Sequence, residues 1–223
     1  MSLVVKGIYM LNQIVFNELK REKRSSFAIW ALKNSMNPKD VSDLSQFSNF
    51  EAIKGILKPH IIFVAMNLAS DGNTDMLPFS NFHSSVIKHN DFRLRDAIVG
   101  SPFEGAYMTD MFDYVSSSSR ELSQYYNNNT NEKEKSIRRF ISNCRFVYSG
   151  TKYVISIGVG YHYKTICEYI AKEEDFVCLF ANAKDKNKPG FYIPHYSGAA
   201  GKSDVEYHRE ASRLLKLIAE DIF

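Results

Sequence analysis

Apolar positions are arranged differently on either side of residue 58. Upstream, Ile8, Leu11, Val15 and Leu19 recur at helical spacing as one stripe, followed by a charged run from Lys20 to Arg24 that reads as a solvated helix end. Ser48 and Glu51 have the spacing of a capping box, in which the serine oxygen and the glutamate each satisfy an orphan backbone donor. A short helix is therefore predicted from there to about Leu57, closed by Pro59. Downstream, the apolar residues come in short continuous runs. Ile61–Ala65, Ala106–Phe112, Tyr153–Ile157 and Phe191–Ile193 each suit a strand buried on both faces. Helices are predicted between them, at Asp91–Val99 and within Asn131–Val147. A second capping box, Ser203 with Glu206, opens a C-terminal helix with Leu214, Leu215, Leu217 and Ile218 on its apolar face. Strands alternating with helices predict a three-layer α/β/α sandwich around a mostly parallel, four-stranded central sheet.

Ligands in such sheets bind beyond the carboxyl ends of the strands, so chemistry is expected in the loops after residues 65, 112, 157 and 193. The polar stretches Ser116–Ser119 and Asn127–Asn131 read as surface loop. A chain of 223 residues with 44% hydrophobic and 24% charged positions fits one globular domain over 1–223 and excludes disordered, collagenous and coiled-coil classes. The formal net charge of +3 permits contact with a polyanion without requiring one. Cys144, Cys167 and Cys178 have neither metal-ligand spacing nor an even count, which points to a reducing cytoplasmic setting, no metal and no cofactor. No apolar run approaches the roughly 18 residues of a membrane span, and no secretory leader pattern opens the chain, so no membrane partner is expected.

The loop from Ala65 to Ala69 and the later loop from Pro194 to Gly198 together resemble motifs of the uracil-DNA glycosylase superfamily. Members of that family carry G-x-[D/N/A]-P-[Y/G] after the first core strand and [H/N]-P-S-[P/G]-L-S before the last helix. Asn67 stands at the water-positioning place, and His195 with Ser197 at the late motif. Pro78 and Phe79 follow about a dozen residues after Asn67. Tyr107–Asp110 is similar to the Tyr-Ile-Thr-Asn stretch of thermophilic members, whose asparagine reads the base edge. The resemblance covers about residues 58–223 and leaves 1–57 as a helical N-terminal extension packed on that core. It implies a metal-independent glycosylase of DNA: Asn67 and His195 catalytic, Phe79, Asp110 and Met66 around the base, Ser197 on a phosphate. The chain departs from the pattern at Leu68, where the family has proline, and at Ala199, where it has the leucine that fills the vacated base stack. Asn67 resembles the mismatch-specific branch, and the cluster-binding cysteines of the iron–sulfur branch are absent from the sequence.

The chemistry is coherent without the family. Breaking a base–sugar bond builds positive charge on the sugar and negative charge on the base, so a site needs a placed water on one side and a donor at the leaving base on the other. An amide such as Asn67 orients water through its carbonyl without acting as a strong base, and His195 donates to a base carbonyl. An ionised Asp110 only accepts hydrogen bonds, which favours a base edge with amine donors over uracil. Glu104 and His83, the latter in the Asn81–His83 segment, are further candidates. Each has a structural alternative. Asn67 and Ser197 are also turn formers, His195 also suits a satisfied histidine, and Asp110 also suits a buried partner of Arg93 or Arg95. Glu104 reads equally as a loop charge and His83 as a cover for Phe79. Two further functions stay open: a non-catalytic protein that binds nucleobases or nucleic acid, and a hydrolase of free nucleosides.

Overall fold

A computed structural model describes residues 11–33, 35–67, 76–114, 118–158, 161–179, 192–196 and 201–223, with backbone alone at 67, 88 and 192. Its strands are β1 (Ser25–Phe27), β2 (Lys58–Asn67), β3 (Ala106–Phe112), β4 (Lys152–Ile157), β5 (Phe176–Cys178) and β6 (Tyr192–Ile193). The sheet order is β1-β3-β2-β4-β5, with β6 also on β4. β5 pairs with Lys152–Val154 and β6 with Ser156 and Ile157. Because β2 already occupies one edge of β4, these two short strands share the other, and six strands fill five lanes. Every pairing is parallel except that of β1 with β3. The four predicted strands are thus the parallel core, and the count of four is corrected by β1 and β5.

Two layers of helices cover this sheet because β2 alternates its apolar side chains. Ile61, Phe63 and Ala65 enter one core with α3 (Asp91–Ile98) and α7 (Asp204–Ile222). Ile62 and Val64 enter the other with α1 (Gln13–Glu22), α2 (Phe50–Ile53), α4 (Ser119–Asn128), α5 (Thr130–Val147) and α6 (Tyr161–Glu168). Fully burying one such aliphatic residue is worth about 1.5–3 kcal/mol, which is why β2 holds the centre. Pro59, expected to close a helix, lies in β2 beside a shift of register between Lys58 and Ile62, where its missing N–H breaks no regular ladder bond.

Capping explains several boundaries. Asn12 Oδ1 accepts from Val15 N at 2.9 Å to start α1, and the Ser203–Glu206 box opens α7 with both reciprocal bonds. The upstream box does not form: Asn49 caps α2, and Ser48 Oγ donates to the Ser45 carbonyl. α4 spans the gap between the two polar stretches read as loop and overlaps both ends, anchored by Leu122 and Tyr126 and capped by Ser118; α5 takes in the end of the second from Thr130. The buried face of α7 is Tyr207, Ala211, Leu214, Leu215 and Ile218, while Leu217 is exposed. Among the described residues, no helix is long and apolar enough to cross a membrane.

Candidate functional site

The chain leaves β2, forms α3 and returns as β3 on one side of β2; it then forms α4 and α5 and returns as β4 on the other side. The connections diverge between β2 and β4, and the crevice beyond the carboxyl ends of those strands is where an open α/β sheet accepts ligands. Asn67 is the last residue of β2, in register with Phe112 of β3. Met66 precedes it, half-buried against the core under α5. β6 ends at Ile193 beside Ile157, so His195 emerges next to the end of β4.

Three contacts hold His195. Its half-buried ring stacks on Tyr196 at 4.7 Å between centroids. Behind it lies Gly158, with φ +83, where an added Cβ would meet His195 Cβ at 3.2 Å. Arg93 of α3 donates to the Tyr196 carbonyl at 3.4 Å while also pairing with Asp204 at the start of α7. Burial lowers the His195 pKa, so the imidazole is neutral at pH 7 and carries a single N–H. Replacing Gly158 with alanine combines strain at positive φ with this close approach. It is expected to cost about 1–3 kcal/mol of stability, read by denaturant unfolding, and to displace His195; unchanged stability would remove the close-packing argument.

Asp110 lies on β3 opposite Ala65 of β2 and is 6% exposed. Its Oδ2 accepts from Asn81 Nδ2 at 2.8 Å. Burial raises its carboxyl to about 7, against the opposing pull of the Asn81 bond and of Arg139 and Arg24. The predicted alternative of a partner in Arg93 or Arg95 is corrected: these arginines pair with Asp204 and Asp96. Tyr196 packs edge-on against Phe82, next to Asn81, with ring centroids 6.4 Å apart, and its phenol is raised well above its ordinary value, first by burial and then by the carboxyls of Asp91 and Asp110. Asp91 is itself raised by burial while its Oδ2 accepts from Ser84 N at 2.9 Å. A buried carboxyl raised to about 7 exchanges its proton near neutral pH.

Other expected residues lie elsewhere. Phe79 is 1% exposed, stacked on Phe47 at 4.7 Å and against Phe16 at 4.8 Å, so its ring faces are covered by core and none is presented to a base. His83 is also buried, its Nε2 3.0 Å from the Ile29 carbonyl and its Nδ1 2.9 Å from that of Asn81, which makes it a brace for its turn. Glu104 accepts from Gly100 N at 2.9 Å at the amino end of the sheet, lining a groove of about 700 Å³ alongside α3. It sits in the turn before β3, and four steps of strand, about 13 Å, separate Ala106 from Asp110, so it does not reach the crevice. Ser197, Leu68 and Ala199 lie outside the described residues. At the start of α6, His162 and Tyr163 are buried, while Lys164 is exposed and pairs with Glu168 at 3.6 Å. The sequence reading passed over Tyr196 and Asp91 and mentioned Asn81 only within its segment. Their one signal was position, beside or shortly before motif residues. No protein-family model, curated protein or solved structure matches the chain.

Proposed function

We propose that this protein hydrolyses the N-glycosidic bond of a modified or mismatched base in nucleic acid, as a divergent relative of the uracil-DNA glycosylases. The observation that supports the reading is that buried Asp110 on β3, held by Asn81, lies opposite Ala65 near the end of β2, while Tyr196 of the loop after β6 packs on Phe82 beside Asn81. Water held by the Asn67 amide attacks the anomeric carbon as the carbon–nitrogen bond breaks. The bonding electrons leave with the base, whose carbonyl oxygen receives a hydrogen bond from neutral His195. The departing base then takes up a proton from the medium, equal to the one released by the attacking water.

The test is single-turnover release of base from single- and double-stranded oligonucleotides carrying uracil, hypoxanthine, xanthine or mismatched thymine. Asn67→Ala is expected to lower release about a hundredfold, the cost of losing the placement of a reactant. Absence of release from every substrate by the folded protein would eliminate the glycosylase reading and favour binding without catalysis.

A further inference from the structure

Asn81 stands in a turn whose backbone is strained on both sides of it. Phe79 and Phe82 adopt φ of +61° and +65°, a region bulky side chains rarely enter. Such strain persists only where surrounding bonds over-determine it. Here Ser26 Oγ donates to the Phe79 carbonyl at 2.9 Å, Trp30 Nε1 to the Phe82 carbonyl at 3.3 Å, and His83 spans the carbonyls of Asn81 and Ile29. From this turn the Asn81 side chain reaches β3. Asn81 Nδ2 donates at 2.8 Å both to Asp110 Oδ2 and to the Arg24 carbonyl. A carbonyl oxygen only accepts, which fixes which end of the amide faces the pair.

We infer that Asn81 is a positioning residue that sets which base edge the site accepts, by pinning Asp110 Oδ2 as an acceptor and leaving Oδ1 to meet the base. This rests on the glycosylase reading of the site. With Oδ2 committed, a proton on the neutral carboxyl resides on Oδ1, and Asp110 offers a donor. When ionised, the same atom is an acceptor. The groups facing Asp110 are Asn81 from its turn, Arg24 from the approach to β1, Arg139 from α5, Asp91 from α3 and Tyr196 from the loop after β6. Both arginines are also engaged by Asp113. The carboxyl, pushed up to about 7, therefore exchanges the two forms near neutral pH. Below that, the site complements the O4 carbonyl of uracil; above it, the N4 amine of cytosine. With uracil release following the neutral fraction and cytosine release the ionised fraction, their ratio falls about tenfold per pH unit across the titration.

Two readouts test this on the full chain: the carboxyl-carbon NMR titration of Asp110, and the uracil-to-cytosine release ratio from pH 5.5 to 9. Asn81→Ala removes one bond that lowers Asp110, so the titration midpoint moves up by about one pH unit and the ratio at a given pH rises about tenfold. Asn81→Ser, which keeps a short donor, is the milder variant if alanine does not fold. Asp110→Asn removes the pH dependence of the ratio. A titration or a ratio unmoved in a folded Asn81 variant overturns the inference while leaving the glycosylase reading standing. Lack of base release by the wild-type protein at every pH overturns both.

Discussion

On the proposed glycosylase reading, replacing His195 with alanine is expected to cut single-turnover base release by about 10²–10³-fold, the usual consequence of deleting one preorganised donor at a developing anion. The effect falls on the chemical step and leaves substrate affinity nearly unchanged, because the base carbonyl becomes strongly basic only as the bond breaks. Preorganisation is visible in the fold. Tyr196 backs the ring, Gly158 leaves space for it, and Arg93 ties the loop to α3 and α7. His195→Gln, which keeps an N–H donor of similar reach, recovers part of the rate if hydrogen bonding is the role. Equal rates for wild type and His195→Ala would remove His195 from the mechanism.

The two titrating groups of the crevice separate cleanly on the pH axis. Burial holds His195 below its ordinary 6.5, so it stays neutral from there upward and contributes no bend between pH 7 and 9. Asp110, raised to about 7, supplies the bend in that range. On the proposed glycosylase reading, uracil is therefore the matched base on the acid side, where the neutral carboxyl of Asp110 offers a donor.

What could be read in advance followed from periodicity. The runs at β2, β3 and β4 are long enough, and apolar enough on both faces, that only a covered parallel sheet accommodates them. β1 escaped because Ser25 and Ser26 look like turn residues; both are fully buried, and Ser26 spends its hydroxyl on the Phe79 carbonyl. α4 escaped because two anchors, Leu122 and Tyr126, hold a helix that is otherwise polar. The places of Asn67 and His195 at strand ends were legible because apolar runs dictate where the loops emerge. Phe79 was misjudged for a physical reason: an aromatic near a motif suits both a base and a core, and α1 and the 45–48 turn, which supply Phe16 and Phe47, lie far off in sequence. Asn81 became informative only once the backbone angles at Phe79 and Phe82 placed it against Asp110.

The largest expected loss of stability comes from the opposite end of the sheet. Lys152 opens β4 with its side chain 0% exposed, and its ammonium reaches Asp175 Oδ2 at 2.8 Å and the Gly150 carbonyl at 2.7 Å. Asp175→Ala leaves that charge buried with one neutral acceptor. Breaking a buried pair from one side costs about 3–5 kcal/mol, and a value near the lower end is expected because Asp175 is 28% exposed and Gly150 remains. Arg145, 45% exposed, also pairs with Asp175, yet Arg145→Ala should cost about 1 kcal/mol or less because solvent screens it. Lys152→Met in the Asp175→Ala background removes the stranded charge and should recover most of the loss, since replacing both partners of a buried pair is often close to neutral. The Asp175 carboxyl is held below the usual carboxylate range, first by Arg145 and then by Lys152. Its contribution is therefore complete at neutral pH and is lost as the pH falls below about 3.8 toward the folded-state value. Denaturant unfolding of the single and double variants at pH 7 decides the matter. A double variant no more stable than Asp175→Ala would show that the loss arises from packing around Phe176, whose ring lies 5.0 Å from the ammonium, and not from the buried charge.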